Sequence, residues 1–317
     1  MANWHLIIMI SFIIPVILLP FYINFIKKYK MGQRIRQEGP DLHQHKMGTP
    51  TMGGVIIVIT LMLMIALFVP RHPYISISLL ITVSFGMIGL LDDSIKFLKK
   101  RSMGLNTSAK LIFQIIFSVI IAYYIQENSG IDRNIYIPFS RTSLDLGLLY
   151  IPTVMLVLIS TVNAVNLTDG LDGLAAGLTF IAMISFSIIA ILQSAWQVGI
   201  FSLIVASISL AFLIFNIFPA KIFLGDVGSF ALGGAIASAA IFTKTQLFLT
   251  IIGGVFVFET LSVIIQVISV KIRGKTVFKM SPLHHHFEMS GWKEPKIVIV
   301  FWVIGIFLGV IALLSFY

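Results

Sequence analysis

The chain has 317 residues, 58% of them hydrophobic and 11% charged, and a mean hydropathy of +1.00. A water-soluble domain of that composition would expose large apolar patches, so the reading is an integral membrane protein. The absence of cysteine excludes disulfides, thiolate metal sites and cysteine nucleophiles, leaving oxygen or imidazole for any metal. In such a chain a formal net charge of +9 speaks for basic loops that set orientation and attract anionic lipid or substrate, not for nucleic acid.

The first apolar run, Trp4 to Ile26, has no basic stretch before it and no small-residue cleavage site after it; Lys27, Lys28 and Lys30 follow. It reads as a retained helix, not a signal peptide. With about 20 apolar residues needed per crossing, the remaining runs predict further helices at roughly 52–69, 74–91, 111–125, 148–165, 173–192, 197–216, 228–243, 247–270 and 297–316. The expected fold is therefore all-α, a polytopic membrane helix bundle of about ten transmembrane helices, forming one domain over 1–317.

Ten crossings place 18 of the 22 Lys and Arg on one side, leaving Arg71, Arg133, Arg141 and Lys244 on the other. The positive-inside rule makes the basic side cytoplasmic and puts both termini on the extracytoplasmic side. The longest outer loop, 126–147, carries Ile135-Tyr136-Ile137-Pro138-Phe139 and Leu144-Asp145-Leu146-Gly147, which predict a small hairpin.

Five aspartates fall on the basic side, at the edges of apolar runs. Asp92 and Asp93, followed by Lys96, suit a base, a metal ligand or both; a solvated helix end with an Asp93 to Lys96 pair is the plain alternative. The stretch from Asn163 to Gly173 holds three amide or hydroxyl residues and two acids, Asp169 and Asp172, without one Lys or Arg. A simple connecting turn explains Asn and Gly there but not both acids.

Asp226, between Gly225 and Gly228, is either a helix cap or a metal ligand, with Phe223 on the same loop able to stack on a nucleobase. Pro282-Leu283-His284-His285-His286 sits in a lysine-rich loop and suits phosphate better than zinc, because consecutive imidazoles lack the usual ligand separation. The loop His45 to Gly54 offers Lys46, hydroxyls including Thr51, and glycines at a helix start, a phosphate cradle or an ordinary cap. Lys110 is a snorkelling anchor or a phosphate ligand. Glu259, an acid inside a span, needs a partner and is expected to brace the cytoplasmic loops, with Gln266 on the same face.

Together, Asp92-Asp93 with Lys96, the Asn163 to Asp172 stretch, Phe223-Leu224-Gly225-Asp226 and Pro282 to His286 resemble the polyprenyl-phosphate N-acetylhexosamine-1-phosphate transferase family. The triple histidine favours its muramoyl branch over its GlcNAc-phosphate relatives. That resemblance implies Mg²⁺-dependent transfer of phospho-MurNAc-pentapeptide from UDP-MurNAc-pentapeptide to undecaprenyl phosphate, giving lipid I and UMP. It further implies a homodimer in a bacterial plasma membrane with its active site on the cytoplasmic face.

By motif position the resemblance assigns metal binding to Asp226 and catalysis to Asp92, Asp93, Asp226, His284 and His285. Substrate binding falls to Lys46, Thr51, Lys110, Asn163, Asn166, Asp169, Gly170, Leu171, Asp172, Asn216, Phe223 and Gln266. The competing expectations are a UDP-GlcNAc:polyprenyl-phosphate transferase and, from another class, a membrane transporter. A transporter would place its acids near the midplane on broken helices, with repeats; here they gather on one side and no internal repeat is evident.

Overall fold

The computed structural model describes residues 4–29, 32, 46–99, 101, 103–128, 130–140 and 142–316. His45 of the glycine-rich loop and the basic residues Lys30, Arg34, Arg36, Lys100 and Arg141 lie outside them. Among the described residues, nine helices are long and apolar enough to cross a membrane. They are α1 (Trp4–Lys28), α3 (Pro73–Leu98), α4 (Thr107–Asn128), α5 (Tyr150–Thr168), α6 (Leu174–Leu192), α7 (Trp196–Asn216), α8 (Gly225–Phe242), α10 (Gly254–Arg273) and α12 (Glu294–Phe316). The tenth apolar helix, α2 (Gly54–Phe68), has 15 residues, about 22 Å at 1.5 Å per residue and short of a ~30 Å hydrocarbon core. Two short helices, α9 (Leu249–Ile252) and α11 (Leu283–Glu288), complete the set.

The bundle is organised around α8, whose residues from Val227 to Phe242 are all buried, with α3 and α5 packed along it. Apolar side chains gain nothing by leaving lipid for protein, so helices in a bilayer associate where small residues let backbones approach. The α8 sequence, GDVGSFALGGAIASAA, supplies that surface. At two places the approach requires glycine: a Cβ on Gly89 of α3 would collide with the Asp226 backbone, and one on Gly54 of α2 with the Gly228 backbone. The loop before α2 is laced to the loop before α8 by Phe223 N to Pro50 O (2.8 Å), Gly53 N to Phe223 O (2.9 Å) and Gly54 N to Leu224 O (2.9 Å).

Two elements depart from the sequence expectation. The predicted third span stops before Asp92, whereas α3 continues to Leu98; the acid pair lies on the helix because Lys96 answers it from one turn on. The predicted span 247–270 is broken at Gly253 into α9 and α10. All five buried residues of α10 fall between Gly254 and Ser262, and Glu259 meets α11, so its last 11 residues, about 16 Å, run on with apolar side chains such as Ile265, Ile268 and Ile272 exposed.

At the other end of α8 from Asp226, β1 (Asn134–Tyr136) pairs antiparallel with β2 (Ser143–Asp145), Ile135 facing Leu144, as the loop sequence predicts. The hairpin is tied to the ends of α8 and α12 by Tyr136 N to Lys244 O (2.8 Å) and Phe139 N to Ser315 O (3.2 Å). Asp132 Oδ2 and Lys244 Nζ pair there at 2.7 Å.

A methyl group at Gly89 must push α3 off α8, so Gly89→Ala is expected to destabilise the protein by about 1–3 kcal/mol. Leu91→Ala, at a half-exposed site on the same helix, should stay within about 0.5 kcal/mol. Thermal unfolding in detergent reads both; equal shifts would discount the close contact.

Candidate active site

Three carboxylates meet at one end of the α3–α8 contact. Oxygens of Asp92, Asp93 and Asp226 lie within 4.8 Å of one another. Each is fixed by a second partner: Asp92 Oδ1 accepts from Leu105 N (2.6 Å), Asp93 Oδ2 from Val227 N (3.2 Å) and Asp226 Oδ1 from Asn166 Nδ2 (3.2 Å). Asn166 also donates to Ser229 Oγ at 2.9 Å. Asp226 is not the cap of α8, because Leu224 holds that position and Asp226 sits in the first turn, where the positive end of the helix dipole favours an acid.

Two ammoniums balance the acids. Lys96 Nζ lies 2.7 Å from Asp92 Oδ2, 3.2 Å from Asp93 Oδ1 and 3.1 Å from Asp226 Oδ2. Lys110 Nζ, at the start of α4, lies 2.8 Å from Asp226 Oδ2 and 3.1 Å from Asp92 Oδ1. Three acids against two lysines leave one negative charge on a set of hard oxygen donors. That chemistry fits Mg²⁺, a hard cation that takes oxygen ligands.

A second charged group lies beside the first. Lys46, 7% exposed, places Nζ 2.8 Å from Asp172 Oδ1 and 2.6 Å from Glu294 Oε1. The same Glu294 oxygen accepts from Asp172 N at 2.6 Å, and Asp172 Oδ2 accepts from Ala220 N at 2.9 Å. Asn216 joins the same loops, accepting from Gly173 N (3.1 Å) and donating to Ile222 O (2.9 Å). Phe223 is half-buried with Lys46 Nζ 5.9 Å from its ring centroid. Thr51, also half-buried, follows Pro50, whose carbonyl receives Phe223 N.

Asp169, just beyond α5, faces both groups. Burial first, then Asp226 and Asp93, push its carboxyl well above the usual range, with Lys46 pulling the other way. Gly170 lies against the His284 ring, where any Cβ would strike Nε2. Leu171 is buried in the core. Asn163, one turn below Asn166, exchanges amide hydrogen bonds of 2.7 and 3.3 Å with Gln114 of α4 and is engaged there.

The rings of His284 and His285 lie 4.1 Å apart, centroid to centroid, but the three histidines have different partners. His284, fully buried, has Nδ1 3.1 Å from Glu259 Oε1, and its backbone N–H donates to the same oxygen at 3.2 Å. His285 Nδ1 lies 2.7 Å from Glu288 Oε2, and His286 Nδ1 accepts from Lys279 N at 3.1 Å. Glu259 thus braces α11 as its sequence position implies. Gln266 bonds with both ends of its amide to the backbone of Val277 and Phe278 (3.0 Å each), fixing the basic loop to α10.

Sequence reasoning left out Glu294, Ser229 and Gln114. Glu294 had one visible signal, an acid opening an apolar span between Lys293 and Lys296. The other two resemble ordinary helix polar residues.

Residues 74–244 match glycosyl transferase family 4, a segment that holds the three clustered aspartates, Lys110, Asn166 and Phe223 but not Lys46, His284 or Glu294. Over 311 residues the chain is 50% identical to the phospho-N-acetylmuramoyl-pentapeptide-transferase of Halalkalibacterium halodurans, covering 96% of this chain and 95% of that one. The proteins of the same name from Bacillus cytotoxicus and a Geobacillus species are 49% and 46% identical, with the same coverage. This chain belongs to glycosyl transferase family 4, among the phospho-N-acetylmuramoyl-pentapeptide-transferases.

Proposed function

We propose that the chain transfers phospho-MurNAc-pentapeptide from UDP-MurNAc-pentapeptide to undecaprenyl phosphate at the cytoplasmic face of a bacterial plasma membrane, giving lipid I and UMP. The observation that carries this reading is the meeting of Asp92, Asp93 and Asp226 within 4.8 Å, with Lys96 and Lys110 in contact. It lies at the helix ends where a lipid head group and a soluble donor reach the same depth.

A bond forms between an oxygen of the acceptor phosphate and the phosphorus bearing the sugar, and the bond from that phosphorus to the UMP oxygen breaks. Asp92, Asp93 and Asp226 would hold Mg²⁺, which supplies charge neutralisation on the diphosphate. Lys96 and Lys110 pair with phosphate oxygens, Phe223 stacks on the uracil, and Asn166 and Asp169 orient the donor. Lys46 and Asp172 frame the nucleotide side, and His284 holds the turn at Gly170 from behind. A phosphate monoester dianion is already nucleophilic, so alignment by these groups suffices for direct attack.

Purified protein in detergent is expected to release UMP from UDP-MurNAc-pentapeptide only with a divalent cation and far faster than from UDP-GlcNAc. Faster turnover of UDP-GlcNAc would move the assignment to the sister activity. Asp226→Asn keeps the shape and removes the charge, and should lower turnover by about 10²-fold or more; near-normal turnover at ordinary Mg²⁺ would refute its role. Phe223→Ala should raise KM for the sugar nucleotide, not for the lipid, and equal weakening of both would argue against stacking.

Asp169 gives a pH signature. Its folded-state pKa lies above the unfolded value, so the folded chain holds a proton that the unfolded chain releases, and stability falls as pH rises above about 4. In chelator, Asp169→Asn should therefore raise Tm at neutral pH and gain nothing near pH 3, and with Mg²⁺ restored it should lower turnover. A Tm gain unchanged by pH would show that the burial of charge is not its cause.

A further inference from the structure

We propose that Glu294 is a positioning residue for the donor: from the first turn of α12 it fixes the buried Lys46 ammonium, and with it the wall shared with Phe223. The inference rests on the transferase reading above and names a residue that reading leaves unused.

Lys46, Asp172 and Glu294 are 7%, 4% and 8% exposed, so water does little to orient them. The ammonium has three N–H bonds. Glu294 Oε1 accepts one of them at 2.6 Å, and Asp172 Oδ1 stands against the ammonium as an ion pair at 2.8 Å, so Glu294 sets its orientation. Both acids begin helices, Asp172 beside the Gly173 cap of α6 and Glu294 in the first turn of α12, where the dipoles favour negative charge. The triad carries a net charge of one negative, so it does not attract a diphosphate by its field. Its contribution is a directed hydrogen bond.

Glu294 does more than pair with Lys46. The same Oε1 accepts from Asp172 N at 2.6 Å, and Asp172 in turn holds Ala220 N, three residues before Phe223. One oxygen from α12 therefore holds Lys46 and, through Asp172, the loop that carries Phe223. No other element joins the start of α12 to this part of the site by a charged contact among the described residues.

Glutamine separates charge from shape: Glu294→Gln still accepts from Asp172 N but presents an amide to the ammonium. In the purified full chain, this variant is expected to raise KM for the UDP-linked sugar about tenfold, the weight of one charged hydrogen bond. KM for the polyprenyl phosphate and the Mg²⁺ dependence should not move. Lys46→Met should raise the same KM, and the double variant should be no worse than the poorer single one, since both act through one contact. If Glu294→Gln does not survive purification, Glu294→Asp, which keeps the charge and shortens its reach, carries the same test.

Effects that multiply in the double variant, a KM for the lipid that rises in step, or an unmoved donor KM would each overturn the positioning role. Wild-type protein that transfers no sugar phosphate from any UDP donor would instead overturn the transferase reading itself.

Discussion

The site depends on how closely α3 can lie against α8. Glycine at position 89 brings the α3 backbone onto the Asp226 backbone, and that contact lets carboxylates from two helices reach one point. It also resolves a problem at the start of α8. The first amides of any helix lack internal partners, and Asp226 does not cap them. Asp93 does so from the neighbouring helix, taking Val227 N at 3.2 Å. The same side chain thus orders the helix that presents Asp226 and stands beside Asp226 as a ligand candidate. Packing, capping and chemistry are one interaction here, so none can be changed alone.

Charge at this end is arranged in excess of what stability asks. Asp92, Asp93 and Asp172 are each at most 5% exposed, and buried carboxylates are tolerated only with partners. Lys96, Lys110 and Lys46 provide them, and removing one partner of such a buried pair costs about 3–5 kcal/mol. Asp169 is the exception, lying where burial and neighbouring acids oppose its charge. A fold selected for stability alone would place an amide there. Acids held against their electrostatics mark positions where a cation or a substrate completes the balance.

The sequence was a good guide to the bundle and to the side on which the aspartates gather, because both follow from hydropathy and the spacing of charges. It was a poorer guide wherever a charge is answered by a distant residue. A hydropathy window ends a helix at Asp92-Asp93, yet Lys96 at i+4 and i+3 holds the acids and α3 continues. Asn163 shares a polar stretch with Asn166, but its amide is answered by Gln114, on another helix 49 positions away. Glu294 meets Lys46 across 248 positions, a pairing that no local pattern announces. The histidine run shows the same limit: three identical neighbours in sequence face Glu259, Glu288 and the Lys279 amide in space.

The junction between lipid and polar chemistry is visible at α4. Lys110, in its first turn, touches Asp226 and Asp92, while Leu111, Ile112, Ile115, Ile116, Val119 and Ile120 are exposed along the same helix. In a bilayer, those side chains face acyl chains, so within one turn the surface passes from hydrocarbon to a cluster of carboxylates and ammoniums. A lipid carrier with a phosphate head would meet both without leaving the membrane: its tail would stay where apolar surface is already exposed, and only its head would be desolvated. A soluble sugar nucleotide would reach the same helix ends from the water side. The two reactants then need no common solvent, because the helix ends that join α3, α4 and α8 are the boundary between their solvents.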